Sequence, residues 1–288
     1  MSGFSAQWLA QREAIDASAR NIKLTDALRH RYHGDTLRRV VDLATGTGTN
    51  LRYLAPRLEG RQDWLLVDHD ATLLSQLPEH MSRWATANGF SLTKRADHMI
   101  VRGESFDCRL RLLKLDLATQ LDRLSLEGCH VVTASALLDL VSERWLHELI
   151  KRCQSAQVVV LFTLTYDGHI AWSPLEPDDK RVRALVNRHQ RHDKGFGPAL
   201  GPAAIQTAVK YLKDRDYRVH PEKSAWHLGP EHHALQHQLL QGWTEAILEL
   251  PLETGSWIKA WAHRRGSYIS EGRSSLSVGH ADLLGWPT

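Results

Sequence analysis

Short apolar runs alternate with amphipathic stretches along the first half of the chain. Strands are predicted at five runs rich in β-branched residues or leucine, at 40–43, 64–68, 109–115, 129–135 and 157–165; the run at 109–115 alternates basic and apolar residues and is expected to be half-exposed near a sheet edge. The stretches between them carry apolar residues at helical spacing, as Leu51, Leu54 and Leu58 do after the first run. A helix at 203–214 and strands at 217–228 and 274–282 follow. This alternation predicts an α/β fold in which helices flank a mostly parallel sheet.

Three segments lie outside this alternation. Residues 1–33 are predicted as an N-terminal helical segment, with one helix at 5–32 whose Arg12, Asp16 and Arg20 form ion pairs on a solvated face. Alternatively, this helix is a lid over the acceptor pocket. Segments 169–200 and 229–273 are predicted as helical insertions, the first of which starts after the fifth strand has ended at 166–168. We expect the insertions to form a lid over a site, within a single domain that spans 1–288.

The composition is that of an ordinary soluble protein, with 42% hydrophobic and 24% charged residues among 288. Lys and Arg number 36 against 33 Asp and Glu, a net charge of +3, so charge gives no argument for a nucleic-acid partner. No signal-peptide core or membrane-spanning apolar run is present, and we therefore expect a cytoplasmic protein without membrane contact. The three cysteines are scattered, and no acidic or cysteine partner recurs near His232, His233 and His237, so no metal is expected.

The most informative stretch follows the first strand, at 42–50. Gly46 and Gly48 allow a tight turn and a close approach of the backbone to a ligand, and a helix begins directly after them. A strand, a glycine turn and a helix N-terminus together form a nucleotide pocket. The dinucleotide pattern G-x-G-x-x-G requires a third glycine where this chain has Leu51. Asp42, which precedes the loop, suits a ligand that carries an ammonium group and no phosphate.

This stretch resembles motif I of the class I S-adenosylmethionine (SAM)-dependent methyltransferases, which reads roughly acidic-x-x-x-G-x-G-x-G. Asp42, Gly46 and Gly48 match the motif, and Asn50 stands in place of its last glycine. The resemblance implies a Rossmann-like, seven-stranded methyltransferase sheet, with SAM as the methyl donor and S-adenosylhomocysteine as the product. It also implies that the loop, including Ala44, passes under the methionine and ribose, with Asp42 near the methionine amino group.

A second carboxylate supports the assignment of the loop. Asp68 ends the second strand about 20 residues after the glycine turn, where βαβ units place a ribose-binding acid. Alternatively, Asp68 only caps the following turn; His69, next to it, is included among the cofactor-binding candidates. The resemblance implies that Asp116 meets the adenine amino group, that Leu117 stacks on the ring and that Ser135 lies beside the transferring methyl group. Asp116 is alternatively a loop acid without a ligand.

Candidates for acceptor binding and proton transfer follow the fourth and fifth strands. Leu138 and Tyr166 are candidates for substrate contacts, because ligands bind outside the carboxyl ends of parallel strands. Asp139, Asp167 and His189 are candidates for removing a proton from the acceptor. Asp139 is alternatively the cap of the next helix, and His189 is alternatively a satisfied core residue.

The sequence therefore predicts an enzyme that transfers the methyl group of SAM to a small molecule. The Asn/Asp-Pro-Pro-aromatic signature of enzymes that methylate nitrogens of DNA, RNA or protein is missing after the fourth strand. Two alternatives stay open, a SAM-binding regulator without catalysis and an RNA methyltransferase, the latter supported by the basic run at 178–194. The sequence does not decide the oligomeric state, and a homo-oligomer stays open.

Overall fold

The computed structural model describes residues 5–32, 37–251 and 255–288, and within these residues a single sheet of ten strands forms. The first four residues and residue 33 of the predicted N-terminal segment lie outside the described residues. The strands are β1 (Arg38–Leu43), β2 (Gly60–Asp68), β3 (Ser91–Lys94), β4 (Met99–Arg102), β5 (Phe106–Lys114), β6 (Val131–Ser135), β7 (Val159–Ser173), β8 (Tyr217–Lys223), β9 (Trp226–Leu228) and β10 (Ser275–Pro287).

The helices cover the sheet and extend beyond one end of it. They are α1 (Ala6–Ala19), α2 (Ile22–Arg31), α3 (Thr49–Leu58), α4 (Ala71–Ala87), α5 (Leu117–Gln120), α6 (Glu143–Ser155), α7 (Asp179–His189), α8 (Ala204–Lys213), α9 (His233–Leu248) and α10 (Gly255–Ser270). The prediction of one helix at 5–32 is wrong. Arg20 has extended backbone angles and ends α1, and the Asn21 side chain caps α2 by accepting from the Lys23 amide.

The strand order is β3-β4-β5-β2-β1-β6-β7-β10-β8, with β9 paired to β10. The five central strands, from β5 to β7, are parallel, whereas β10 runs antiparallel to both β7 and β8. The predicted α/β class is confirmed, but the sheet has ten strands and not seven. A hairpin of β3 and β4 extends the β5 edge, and the strand predicted at 217–228 is divided into β8 and β9. The hairpin strands are short and partly polar, so their pattern does not distinguish them from a loop.

Strands β7 and β10 are both longer than predicted. We expected β7 to end at 166–168, but it continues through Gly168 to Ser173 and pairs with β10 over this extension. Gly168 has a φ of 89°, which a glycine adopts without steric cost, so it does not terminate the strand. The first predicted insertion therefore begins as a strand, and its helix is α7.

Three apolar clusters stabilise the fold. One packs α2, α3 and α4 on one face of the sheet, and a second packs α5, α6 and α8 on the other. Alternating side chains of β1 divide between them, Val40 entering the first and Val41 the second. The third cluster joins α7, α9 and α10 to the extended ends of β7 and β10. The predicted helical insertions thus pack beside the carboxyl end of the sheet.

The helices of the insertions are tied together by a buried ion pair. Arg265 is 1% exposed and donates from Nε and Nη2 to the Asp179 carboxylate. Trp261 Nε1 donates to the same carboxylate at 2.9 Å.

Among the helices in the described ranges, none is long and apolar enough to cross a membrane.

Candidate functional site

The glycine loop lies between β1 and α3, at the carboxyl edge of the parallel strands. Ala44, Gly46 and Gly48 have φ values of 53°, 56° and 85°, so three left-handed residues reverse the chain within five positions. The Thr45 amide donates to the carbonyl of Val67 at 3.0 Å and joins the loop to the neighbouring strand. Gly48 is the N-cap residue of α3 and offers no side-chain acceptor, so the first amides of the helix are left for a ligand or solvent.

Asp42 lies beneath this loop and not on its surface. It is fully buried; its Oδ2 accepts from Thr45 Oγ1 and its Oδ1 from Asn50 Nδ2, both at 2.6 Å. Burial raises the pKa of Asp42 to about 6, although these two hydrogen bonds oppose the shift. The carboxylate therefore organises the loop, and its contact with a ligand's ammonium group stays a prediction.

Asn50, which departs from the family motif, connects two charged residues. Its Nδ2 donates to Asp42 and to Thr133 Oγ1, the latter at 3.1 Å, and its Oδ1 accepts from Arg20 Nη1 at 2.6 Å. A glycine would make none of these bonds. The sequence-based reasoning missed Arg20 as a site residue, and the replacement of the motif glycine by an amide was the available signal.

Asp68 lies at the end of β2 beside the loop, where the sequence placed it. Its Oδ2 accepts from the Gly46 amide at 2.7 Å and its Oδ1 from the Asp70 amide at 2.9 Å. His69 is exposed, with its Nδ1 3.4 Å from Asp68 Oδ1. The cap of α4 is Asp70, which accepts from the Thr72 amide, but the bond from the Asp70 amide shows that Asp68 does cap the turn between them; its contact with a ribose stays a prediction.

Helix α1 covers the glycine loop. At Gly46 a Cβ would lie 2.9 Å from Leu9 Cδ1, so the Leu9 side chain packs directly on the loop and would have to move to admit a side chain there. Glu13 binds Arg52 of α3 through both oxygens, at 2.7 and 2.6 Å. Arg12 and Asp16 form the predicted ion pair, but both are buried, and the prediction of a solvated face is wrong.

A cavity of about 130 Å³ remains between α1, α3 and the sheet. The walls include Ser135 at the end of β6 and Leu164 in β7, the positions nearest the expected methyl transfer. The rest of the lining is charged, amide-bearing or aromatic: Glu13, Asp16, Arg20, Asn50, Arg52, Tyr53, Arg57 and Trp84, with Ala17 and Thr49.

Three other predicted ligand contacts lie apart from this cavity's lining. Asp116 is exposed and caps α5, its Oδ1 accepting from the Ala118 amide at 3.0 Å. Leu117 and Leu138 are buried in the apolar cluster of α5, α6 and α8. Their contacts with adenine and acceptor stay predictions.

Asp139 is the most buried of the three proton-transfer candidates, and it is not among the residues that line the cavity. It is 7% exposed, and burial raises its pKa to about 6, against smaller opposing effects of its own amide, the Tyr166 amide and Arg12. The expectation that it caps the next helix is wrong, because Ser142 does so by accepting from the Trp145 amide.

Tyr166 and an unpredicted histidine lie close together in this region. Tyr166 Oη donates to Asn187 Oδ1 at 2.7 Å, and its ring centroid is 6.2 Å from that of His280 in β10. Burial lowers the pKa of His280 to about 3, so this imidazole is neutral, and its buried Nδ1 has no partner. The closing strand offered no motif that would identify His280 from sequence.

The other two candidates are held elsewhere. Asp167 is exposed, and its Oδ1 accepts from the His169 amide. His189 Nε2 lies 2.9 Å from Glu249 Oε2, and its Nδ1 lies 3.5 Å from Lys194 Nζ, so it is engaged within the helical insertions. In the described part of the chain no three His, Cys, Asp or Glu side chains are placed to hold a metal ion.

Comparison with known proteins supports the fold. No protein-family model matches the chain, and no curated protein matches it. A cyclopropane-fatty-acyl-phospholipid synthase-like protein from Lactobacillus casei aligns over 99% of this chain and 95% of its own, with 12% identity and a TM-score of 0.53. A SAM-dependent methyltransferase from Geobacter sulfurreducens, solved with S-adenosyl-L-homocysteine, aligns over 100% of both chains, with 14% identity and a TM-score of 0.48. The Rossmann-like methyltransferase fold predicted from the sequence is confirmed.

Proposed function

We propose that this chain, built on the methyltransferase fold, transfers the methyl group of SAM to a small molecule. One observation carries the proposal: the glycine loop after β1 is hydrogen-bonded, through the Gly46 amide, to the Asp68 carboxylate at the end of the adjacent parallel strand, at 2.7 Å. Ligands of open parallel sheets bind outside these carboxyl ends. A carboxylate beside a glycine turn is suited to a nucleoside.

The residues around the loop fit SAM better than a dinucleotide. An ionised carboxylate has about four acceptor positions, so Asp68 can accept from ribose hydroxyls while it keeps its two backbone bonds. Thr47 Oγ1 is buried in the loop without a partner and is free to bond to a ligand. Leu51 is fully buried where a dinucleotide fold has its third glycine. When bound, SAM supplies an electrophilic methyl group on a sulfonium.

Asp139 is the residue that we propose as proton acceptor. Methyl transfer to a hydroxyl or ammonium group requires removal of a proton, and a base works best with a pKa near the working pH. Burial raises the pKa of Asp139 to about 6, which suits this role. The exposed Asp167 and the Glu249-bound His189 are weaker candidates. A cavity of about 130 Å³ under α1 suits a small acceptor, and α1, whose Glu13, Asp16 and Ala17 line it, is proposed to exclude water from it.

The test is titration calorimetry with S-adenosylhomocysteine and, separately, NAD. Asp68→Ala should weaken S-adenosylhomocysteine binding by about one to three orders of magnitude, and Asp68→Asn by less. Asp70→Ala is the matched control, because Asp70 caps α4 two residues later and should change stability alone. Asp68 itself is buried, so thermal melting must accompany each titration.

Two results would contradict the proposal: tight NAD binding without a response to S-adenosylhomocysteine, or unchanged affinity in Asp68→Ala. Incubation with SAM and a metabolite extract, followed by mass spectrometry, should then reveal a product heavier by one methylene. Failure of every extract to yield such a product, with cofactor binding intact, would favour a SAM-binding regulator.

A further inference from the structure

The cavity under α1 contains an arginine whose hydrogen bonds are incomplete. Arg20 is 6% exposed, and its Nη1 donates to Asn50 Oδ1 at 2.6 Å. Its Nε and Nη2 are buried and have no partner. A guanidinium keeps its charge in proteins, and a buried donor without an acceptor is costly. The two unbonded nitrogens of Arg20, Nε and Nη2, therefore require a hydrogen-bond acceptor that the protein does not supply.

The position of the guanidinium is fixed by residues of the cavity wall. Its Cζ lies 4.1 Å from the centre of the Tyr53 ring, and its Nη1 is held by Asn50. Tyr53, Asn50 and Arg20 all line the same cavity. The guanidinium is thus held between two residues of the wall of a cavity of about 130 Å³, and a ligand that reaches its buried Nε and Nη2 must displace the atoms that now cover them.

The acids near Arg20 do not occupy this edge. Asp282 attracts the guanidinium, but its oxygens accept from the amides of Asn21 and Leu164, both at 2.8 Å. Asp42 accepts from Thr45 and Asn50, and Asp16 from Arg12 and Trp226, and no oxygen of these acids accepts from Nε or Nη2 of Arg20. Burial lowers the pKa of Arg20, and the charge of Asp282 opposes this. These acids balance the charge of Arg20 at a distance and leave its donors unbonded.

Two neighbouring arginines, Arg12 and Arg52, use the same pair of nitrogens, Nε and Nη2, to bind a carboxylate. Arg12 uses Nε and Nη2 to hold both oxygens of Asp16, at 2.8 and 3.1 Å. Arg52 uses Nε and Nη2 to hold both oxygens of Glu13, at 2.7 and 2.6 Å. This paired geometry is the preferred recognition of a carboxylate by arginine. Arg20 presents the equivalent pair of donors with no carboxylate opposite.

We propose that the cavity is a carboxylate-binding pocket, in which Nε and Nη2 of Arg20 donate to the two oxygens of a ligand carboxylate. That carboxylate belongs either to the methionine part of the cofactor or to the acceptor. The carboxylate pocket itself does not depend on the proposed function; only the choice between the cofactor and the acceptor as the source of the carboxylate rests on it. Asn50 is part of the pocket, because it fixes Arg20 at the third nitrogen and leaves the other two free.

The first experiment uses formate as the probe, at constant ionic strength set with chloride, and follows binding by titration calorimetry and by the total fluorescence of the ten tryptophans, of which Trp84 lies in the cavity wall. Wild-type protein should respond to formate, and Arg20→Met should lose the response. Arg83→Met is the matched control, since Arg83 is exposed on α4, pairs with Glu79 at 3.8 Å and does not line the cavity. It should respond as the wild type does. Arg20→Lys keeps the charge and tests whether a folding defect explains Arg20→Met.

The second experiment identifies the source of the carboxylate. If it is the cofactor's, formate should compete with S-adenosylhomocysteine, and Arg20→Met should weaken that ligand about ten- to a hundredfold. The decarboxylated analogue, which ends in a propylamine, should then bind wild type and Arg20→Met alike. If it is the acceptor's, formate should still bind protein saturated with S-adenosylhomocysteine, and Arg20→Met should leave cofactor affinity intact.

The proposal is overturned if wild type gives no formate response and Arg20→Met binds S-adenosylhomocysteine as the wild type does. An equal formate response in folded Arg20→Met would overturn it as well. A protein that binds formate through Arg20 but never binds S-adenosylhomocysteine would retain the carboxylate pocket and refute the methyltransferase proposal. The two failures are therefore distinguishable.

Discussion

Replacing Asn50 by the glycine of the family motif should lower the free energy of unfolding of the protein. The substitution restores the motif but removes the amide that joins Asp42, Thr133 and Arg20. Asp42 would keep Thr45 as its side-chain donor, and Arg20 would lose its one side-chain acceptor. Both charges would stay buried, so neither could recover its lost bond from bulk water.

The magnitude follows from the two charged hydrogen bonds. Each measures 2.6 Å, and a hydrogen bond to a charged group contributes about 1.5–3 kcal/mol. Glycine in place of asparagine costs about 0.3 kcal/mol more within a helix. Allowing for partial relaxation, Asn50→Gly should lower the free energy of unfolding by about 3–5 kcal/mol, above the usual range for a single substitution.

Urea unfolding of the wild type, Asn50→Gly and Asn50→Ala measures this loss. Asn50→Ala favours the helix and removes the same bonds, so the two variants should differ by about 1 kcal/mol or less. A double-mutant cycle of Asn50→Gly and Arg20→Met should show strong coupling, because Arg20 and Asn50 are joined by a hydrogen bond. Stability of Asn50→Gly within about 1 kcal/mol of wild type would refute the assignment of Asn50 as the link between buried charges.

Two further predictions concern buried charges elsewhere. Burial raises the pKa of both Asp139 and Asp42 to about 6, so the folded protein holds these protons more tightly than the unfolded chain does. Ionisation of each carboxyl group therefore lowers the free energy of unfolding by up to about 3 kcal/mol as pH rises from about 4 to about 6. Asp139→Asn should remove one of these contributions when urea unfolding is measured at several pH values. An unchanged slope of the unfolding free energy against pH would contradict the prediction. Arg265→Ala should cost about 3–5 kcal/mol because it leaves Asp179 buried without its charge partner, as thermal and urea unfolding would show. The more exposed Arg264→Ala should cost below about 1 kcal/mol, and equal losses would argue against the buried pair as the anchor.

The central part of the fold is readable from the sequence because burial on both faces leaves a simple pattern. The first half of β7 is a near-continuous apolar run, β2 contains one at 64–67, and β1 and β6 carry pairs of buried valines, as parallel strands between helical layers do. The edges are harder to predict. The hairpin of β3 and β4 is short and half-exposed, and the extension of β7 depends on pairing with β10, which is distant in sequence. Pairing of that kind leaves no local signal at Gly168.

The residues of the candidate site also divide into those that the sequence identifies and those that it does not. The loop at 42–50 and Asp68 are identified by spacing, because a turn and the end of the next strand are local features. The burial of Arg12, Asp16 and Arg20 is not predictable from their i, i+4 spacing, which is the same on a solvated helix. What decides it is the contact of α1 with the glycine loop and with Trp226, far along the chain.

The bond between the N-cap of α2 and the last strand has a consequence for biosynthesis. The amide of Asn21, which follows α1 and caps α2, donates to the Asp282 carboxylate across 261 positions of sequence, so this junction of the two helices must wait until Asp282 has been synthesised. At roughly 5–20 residues per second, this delay is about 13–52 s of translation. Throughout that interval the junction that follows α1 lacks this partner. A newly made chain should therefore fix the cover of the glycine loop only after Asp282 has been made, and a chain truncated before residue 282 should bind its ligand more weakly than the wild type.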